Sequence, residues 1–371
     1  MVCFSTPLVG LRNYMKKSRV LFATLLVTCF LGTFARAAEP IKIVEVSGDG
    51  AAMGKAHGEA LRDEIQALSK YLNTFFKNDK DRKQALLASF MFRNQISPQH
   101  QAEILGVAQA SGMDSGEVML ANCFLDLSAM AACSTITLSS KAAPDGVARF
   151  GRNLDFPGFG IADKASVVLI FHPKDRYQFA AVTWPGLIGT LSGMNEHGLT
   201  LASMEVDRPR ATMPRAMPYI LLYRTILEKC KTVPEAIDLL EKTPRQSANN
   251  LMLMDAAGER AVVEITPEKI VVRRAPEDRP LISTNHHRGA DLDKHGLCKR
   301  YDYLHDQSLK EFGKIEPANI QAMLGKVAQD DWTLQSMVFE PSTRVLYLAT
   351  GTQATKNPYQ KIELAPYFAK K

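Results

Sequence analysis

The sequence predicts a layered α+β fold, with helices and strands in separate blocks and not a doubly wound parallel sheet. Three observations lead there. The chain has 371 residues, 46% hydrophobic and 23% charged, a balance that can bury a sizeable core. Its apolar periodicity is helical from Gly50 to Met130 and changes at Cys133 to short β-like runs. No Pro/Gly/Ser-rich linker is long enough to separate a pair of domains, so one compact unit is expected.

The chain opens on a leader. After Lys16, Lys17 and Arg19 comes the uncharged run Val20 to Phe34, then Ala35-Arg36-Ala37, the small-x-small pattern of a secretion signal. Residues 1–37 are read as a signal peptide, with Met15 as an alternative start and Ala38 as the first mature residue. The apolar run is short for a bilayer span, and no later stretch is long and apolar enough to cross one. A secreted or periplasmic product with no membrane span is expected. Cys29 lies inside the apolar run and lacks the small preceding residues of a lipid attachment site. Five of the positive charges behind the formal +6 (Arg12, Lys16, Lys17, Arg19, Arg36) sit in the leader, which has no acidic residue. Residues 38–371 therefore carry +1, a field too weak to attract polyanions, and no nucleic-acid partner is expected.

In the helical segment Ser97-Pro98 supplies a cap followed by proline at the first helical position. Asp114 and Glu117 have capping-box spacing before Val118, Met119 and Leu120. Strands are expected over Cys133 to Leu138, Ala165 to His172, Tyr177 to Trp184 and Leu199 to Met204. The turns at Asp145-Gly146, Lys174-Asp175 and Asn195 to Gly198 make them antiparallel hairpins. Helices return at Pro218 to Cys230 and Val233 to Glu241. Strands follow at Leu251 to Met254, Ala261 to Ile265 and Ile270 to Val272, then helices at Lys299 to Lys310 and Pro317 to Val327. A last hairpin, Gln335 to Phe339 with Arg344 to Ala349, turns at Pro341-Ser342.

Common chemistries are missing: there is no G-x-S-x-G, P-loop, H-E-x-x-H or Rossmann glycine fingerprint. His286-His287, read as strand neighbours, would point to opposite faces, so neither metal nor cofactor is expected. Once the leader is gone, Cys123, Cys133, Cys230 and Cys298 remain, in no zinc spacing. If Cys133 stays free, the other three make one disulfide at most, or three buried thiols. Met194, Met204, Met252 and Met254 read as core filling before they read as an acyl pocket.

Cys133 stands where helix gives way to strand. A hairpin from Cys133 through Pro144-Asp145-Gly146 to Gly151-Arg152-Asn153-Leu154-Asp155 brings Arg152 and Asp155 back beside it. A guanidinium near a thiol favours the thiolate. The bland alternative is a buried structural cysteine next to an ion pair.

Four fragments occur in order: Cys133-Ser134-Thr135, Gly151-Arg152-Asn153-Leu154-Asp155-Phe156, Gly193-Met194-Asn195-Glu196-His197-Gly198-Leu199 and Ser283-Thr284-Asn285-His286. Together they resemble the N-terminal-nucleophile (Ntn) amidases that include penicillin acyltransferase, bile salt hydrolase and acid ceramidase. Met53-Gly54-Lys55-Ala56-His57-Gly58 and Glu103 to Asp126 resemble the helical propeptide of the acyltransferase branch. The resemblance implies a four-layer αββα sandwich and a precursor that cuts itself before Cys133. The pieces would be 38–132, a helical propeptide-derived segment, and 133–371, the catalytic segment, which stay associated. Cys133 becomes the N-terminal nucleophile, its α-amine serving as base. Arg152 matches the arginine beside the nucleophile, Asp155 the aspartate that holds the α-amine, Asn195 and Asn285 the asparagines of the oxyanion site, and Arg300 a later arginine. Ala132 stands where the family has glycine. The implied activity is hydrolysis of a small N-acyl amide through an acyl thioester. Transfer of the acyl group to an amine, or a non-catalytic exported binding protein on the same fold, are the alternatives.

Overall fold

The computed structural model describes residues 39–128, 130–206, 215–290, 292 and 297–369. The segment read as a signal peptide lies outside the described residues, and residues 38–371 form one compact unit.

Strand β1 (Ile43–Gly48) precedes five helices, α1 (Gly50–Ala60), α2 (Arg62–Asn73), α3 (Asp79–Met91), α4 (Pro98–Ser111) and α5 (Ser115–Leu127). The caps account for the starts. Ser97 accepts a hydrogen bond from the His100 backbone N–H, with Pro98 in the first turn of α4. Asp114 caps α5 through the Gly116 N–H, but Glu117 does not complete a capping box; its carboxylate pairs with Arg82 on α3. A cross-helix charge has outcompeted the local contact. Helices α1 and α4 pack with almost no separation, since a Cβ on Gly54 would lie 2.2 Å from the Glu103 carbonyl oxygen.

Beyond α5 come β2 (Ala132–Leu138), β3 (Arg149–Asp155), β4 (Val167–Pro173), β5 (Phe179–Thr183), β6 (Ser192–Asn195) and β7 (Thr200–Glu205). Helices α6 (Tyr219–Lys229) and α7 (Val233–Lys242) lead to β8 (Asn249–Met254), β9 (Arg260–Ile265), β10 (Ile270–Arg273) and β11 (Leu281–Ser283). The chain ends with α8 (Lys299–Lys310), α9 (Pro317–Lys326), β12 (Thr333–Glu340), β13 (Val345–Thr350), β14 (Gln360–Glu363) and α10 (Ala365–Phe368).

Among the described residues one sheet has eight strands in the order β1-β4-β5-β6-β7-β8-β9-β10, the other six in the order β11-β2-β3-β12-β13-β14. Their inner faces meet: the Thr135 hydroxyl lies 3.4 Å from the Met204 sulfur and Thr137 reaches Met252. Helices α8 and α9 cover the outside of the six-stranded sheet, with Ile320 and Leu324 of α9 packed over Gly151. Helices α6 and α7 cover the larger sheet, where Ile220 packs on Gly189 and Leu227 on Gly193. The layers are thus helix, sheet, sheet, helix. Two fully buried strands explain why the runs read apolar on both faces.

Three features depart from the sequence reading. Strand β1 was not expected, and it pairs in parallel with β4 where only antiparallel hairpins were foreseen. Strands β6, β11 and β14 have three or four residues, too short for a periodicity to register. The pair His286-His287 lies in the loop after β11, not on a strand. All four cysteines among the described residues are buried free thiols.

Candidate active site

Cys133 is the second residue of β2 and is 1% exposed. It stands opposite Leu154 on β3, and Thr135 stands opposite Arg152, so the pleat puts Cys133, Leu154 and Arg152 on the face toward the other sheet. Arg152 is wholly buried and bridges the sheets: Nε donates to the Ser192 hydroxyl (3.1 Å) and Nη1 to the Ser203 carbonyl (2.5 Å). Burial pushes the Cys133 thiol up from its ordinary pKa in the uncut chain. The charge and hydrogen bonding of Arg152, and the charge of Arg300, oppose that shift without reversing it. Proximity of a guanidinium does not by itself give a thiolate here.

Asp155 ends β3 opposite Ala132, one pleat away from the thiol's face. Its Oδ1 accepts the Thr333 hydroxyl at 2.6 Å, and its Oδ2 lies 3.7 Å from Arg300 Nη1. Burial nevertheless dominates and pushes the carboxyl up to about 6.

Arg300, in the first turn of α8, donates through Nη1 to the Cys133 carbonyl (2.6 Å) and through Nη2 to Asn285 Oδ1 (2.9 Å). Asn285 follows β11 and clasps the chain on both sides of the Ala132–Cys133 bond. Its Oδ1 accepts the Cys133 backbone N–H (2.7 Å), while Nδ2 donates to the Ala131 carbonyl (3.1 Å) and the Glu205 carbonyl (2.7 Å). The fold thus gathers Cys133, Arg152, Asp155, Asn285 and Arg300 around one peptide bond.

Asn195 is not among them. Its Oδ1 accepts the His197 and Leu199 N–H groups within its own turn, and its Nδ2 donates to the Leu227 and Cys230 carbonyls at the end of α6. Every hydrogen bond its amide can make is spent on backbone, so the oxyanion role is withdrawn and Asn195 is a turn-to-helix tie.

One member of the cluster was missed. Glu205, the last residue of β7 and 4% exposed, accepts the N–H groups of Met130 (2.8 Å) and Ala131 (2.7 Å). The available signal was an acidic residue closing an otherwise uncharged buried strand, ten positions after Asn195. Among the described residues no group of three or more His, Cys, Asp and Glu could hold a metal.

Beside the cluster lies an apolar cavity. Ala131, two residues before Cys133, and Leu154, across the strand pair from it, line it together with Phe124, Trp184, Leu191 and Glu64. None of the four methionines lines it; Met194, Met204, Met252 and Met254 are buried core.

Residues 142–323 match the model of the family described as acyl-coenzyme A:6-aminopenicillanic acid acyl-transferase. Protein dcd1B of Dictyostelium discoideum is 21% identical over 354 residues, 86% of this chain and 70% of that protein. N-acylethanolamine-hydrolyzing acid amidase of Oryctolagus cuniculus is 28% identical over 156 residues, covering 40% of this chain and 42% of its own length. Among solved structures, a mutant conjugated bile acid hydrolase from Clostridium perfringens aligns with a TM-score of 0.46 at 16% identity, over 63% of this chain and 93% of that one.

Proposed function

We propose that this chain, which belongs to the penicillin acyltransferase family through residues 142–323, is an exported, self-processing cysteine amidase acting on small N-acyl amides. The observation that carries the reading is the double clasp on the Ala132–Cys133 peptide: Asn285 and Arg300 hold Cys133, and Asn285 and Glu205 hold Ala131 and Met130. A bond fixed on both sides beside a buried thiol is set up for attack at short range.

In maturation the Cys133 sulfur adds to the Ala132 carbonyl carbon, the peptide nitrogen leaves as the new α-amine, and water hydrolyses the thioester to free the Ala132 carboxylate. The pieces are 38–132 and 133–371, after loss of residues 1–37. In turnover the α-amine takes the thiol proton and the sulfur attacks the substrate carbonyl. The amide nitrogen leaves with that proton, and water releases the acid. The side-chain amide of Asn285, which holds the Ala131 carbonyl in the uncut chain, donates to the developing oxyanion once the new end at Ala132 has moved aside. Arg152 holds the thiol's surroundings, and Arg300 with Asp155 holds the new N-terminus. The apolar cavity at Leu154 supports an apolar acyl group. The family description favours a second outcome, in which an amine and not water clears the thioester.

The test is direct. Purified protein should run as two fragments, the second beginning at Cys133, and release acid from decanoyl amides; Cys133→Ala should stay whole and inert. Glu205→Gln should slow maturation, because one carboxylate oxygen now serves both N–H groups. A second fragment that begins elsewhere, or a Cys133→Ala chain still cut at that bond, overturns the reading.

A further inference from the structure

Asn285 is held in two ways. Its own side chain meets Cys133, Ala131 and Glu205, and the first two of these contacts flank the bond to be cut. The backbone on either side of it is held separately, by Asn250 on β8. The Asn250 Nδ2 donates to the Thr284 carbonyl (2.9 Å) and to the His286 carbonyl (2.8 Å). An amide nitrogen has two protons, so both are spent on the residues that flank Asn285.

Strand register explains how Asn250 reaches that loop. Asn250 lies opposite Met204 on β7 and opposite Glu264 on β9, so the three share the face turned to the six-stranded sheet, where Met204 meets Thr135. Glu264 carries the support further along the loop by accepting the Arg288 and Gly289 N–H groups (2.8 and 2.7 Å). Asn250 is fully buried between two paired strands, which makes it a rigid anchor. Its Oδ1 has no hydrogen-bond partner even so. A buried amide with an unpaired oxygen is a poor choice for core packing alone, and what it provides is the pair of N–H bonds around Asn285.

A donor stabilises an oxyanion only if it is already in place when the charge develops. An asparagine side chain has two torsions, so where its amide lies follows from where its backbone is fixed. In the uncut chain the Ala131 carbonyl also steadies the Asn285 amide, and that contact is given up when the pieces part. We infer that Asn250 is a positioning residue for the reaction: it fixes the backbone around Asn285, so that the amide keeps its aim at the reacting carbonyl once Ala131 has gone. Asn250 therefore matters more to turnover than to maturation. This rests on the amidase reading and adds to it a residue that acts only through Asn285.

The experiment uses Asn250→Leu, which keeps the volume, and Asn250→Ala, which empties it. Both remove the same two donors, so an effect common to the pair belongs to the donors, and if one variant does not fold the other decides. Each should still cut before Cys133. With decanoyl amides, kcat per processed site should fall about tenfold or more while KM stays within about twofold, because an oxyanion donor serves the transition state more than bound substrate. Alkylation of Cys133 by iodoacetamide, an attack that builds no oxyanion, should keep its wild-type rate. Unchanged kcat, a raised KM at unchanged kcat, or alkylation that falls in step with turnover overturns the inference. Loss of cutting in both variants also overturns it, since Asn250 would then serve the fold or the precursor. If wild type itself releases no acid, the amidase reading falls and this inference with it; if wild type turns over and the variants match it, the inference alone falls.

Discussion

At the scale of single residues the site is governed by burial working against charge. Arg152 reaches Ser192 and Ser203 with two different nitrogens of one rigid fork. A lysine keeps the charge and loses that geometry. Arg152→Lys should therefore leave the fold intact, raise the thiol's titration midpoint and lower turnover about 100-fold. Alkylation of Cys133 against pH reads the first effect; an unshifted profile with full turnover would make Arg152 merely structural. Asp155 is the converse case, a carboxyl whose folded pKa of about 6 lies above its ordinary 3.8 despite Arg300 at 3.7 Å. Folding thus favours its protonated form. The stability this confers is fully present below about pH 4 and is lost as the pH rises through about 6. In the uncut Cys133→Ala background, Asp155→Asn should raise stability at pH 8 by up to about 3 kcal/mol and leave it little changed at pH 4. Urea midpoints at the two pH values measure it. In the processed enzyme the same change should abolish turnover, a trade expected where a costly charge is kept for function.

Elements set which residues can meet. Asn195 closes β6 and ties the turn before β7 to the end of α6 through four backbone contacts, and Gly198, with φ +83, completes that turn. Asn195→Ala should leave buried N–H and C=O groups unpaired and cost about 1–3 kcal/mol for each group so exposed, while turnover per folded molecule stays close to wild type. Thermal midpoints and active-site titration separate the two; loss of turnover at full stability would return Asn195 to the chemistry. The helical block shows the same logic. The glycines of Met53-Gly54-Lys55-Ala56-His57-Gly58 read as a family likeness, and their physical basis is contact. Gly54 and Gly58 on α1 and Gly106 on α4 each leave no room for a Cβ against the facing backbone.

Across the whole molecule the most consequential feature is that the segment before Cys133 is woven into the segment after it. Strand β1 supplies the edge of the eight-stranded sheet by pairing with β4, and Glu103 of α4 pairs with the fully buried Arg224 of α6 at 2.8 Å. Arg224 also holds Glu228 at 2.8 Å and lies 4.6 Å from the centre of the Phe171 ring. These contacts would keep the proposed pieces 38–132 and 133–371 together after the covalent bond is gone. Removing Glu103 leaves the buried Arg224 with Glu228 alone, which costs less than the about 3–5 kcal/mol of a fully stranded charge but takes away the only contact that Arg224 is shown to make with α4 among the described residues. Glu103→Ala should therefore let the processed pieces separate at clearly lower urea than wild type, followed by size-exclusion chromatography. An unchanged separation midpoint would mean that the sheet edge alone holds them.

The sequence by itself determined what short-range physics writes: the switch from helical to strand periodicity at Cys133, the Ser97-Pro98 start, the bounds of α8, and the hairpin that returns Arg152 and Asp155 to Cys133. Resemblance added Asn285 and Arg300, which lie 152 and 167 positions from Cys133 and which no local pattern could bring there. Tertiary structure alone decided the rest. It took Asn195 away from the cluster, because its amide is satisfied by its own turn and by the end of α6, and brought in Glu205, whose carboxylate at the end of β7 meets the N–H groups of residues 130 and 131. It also set the pairing of β1 and the direction of the Cys133 and Asp155 shifts, since desolvation depends on everything packed around a group and not on its neighbours in sequence.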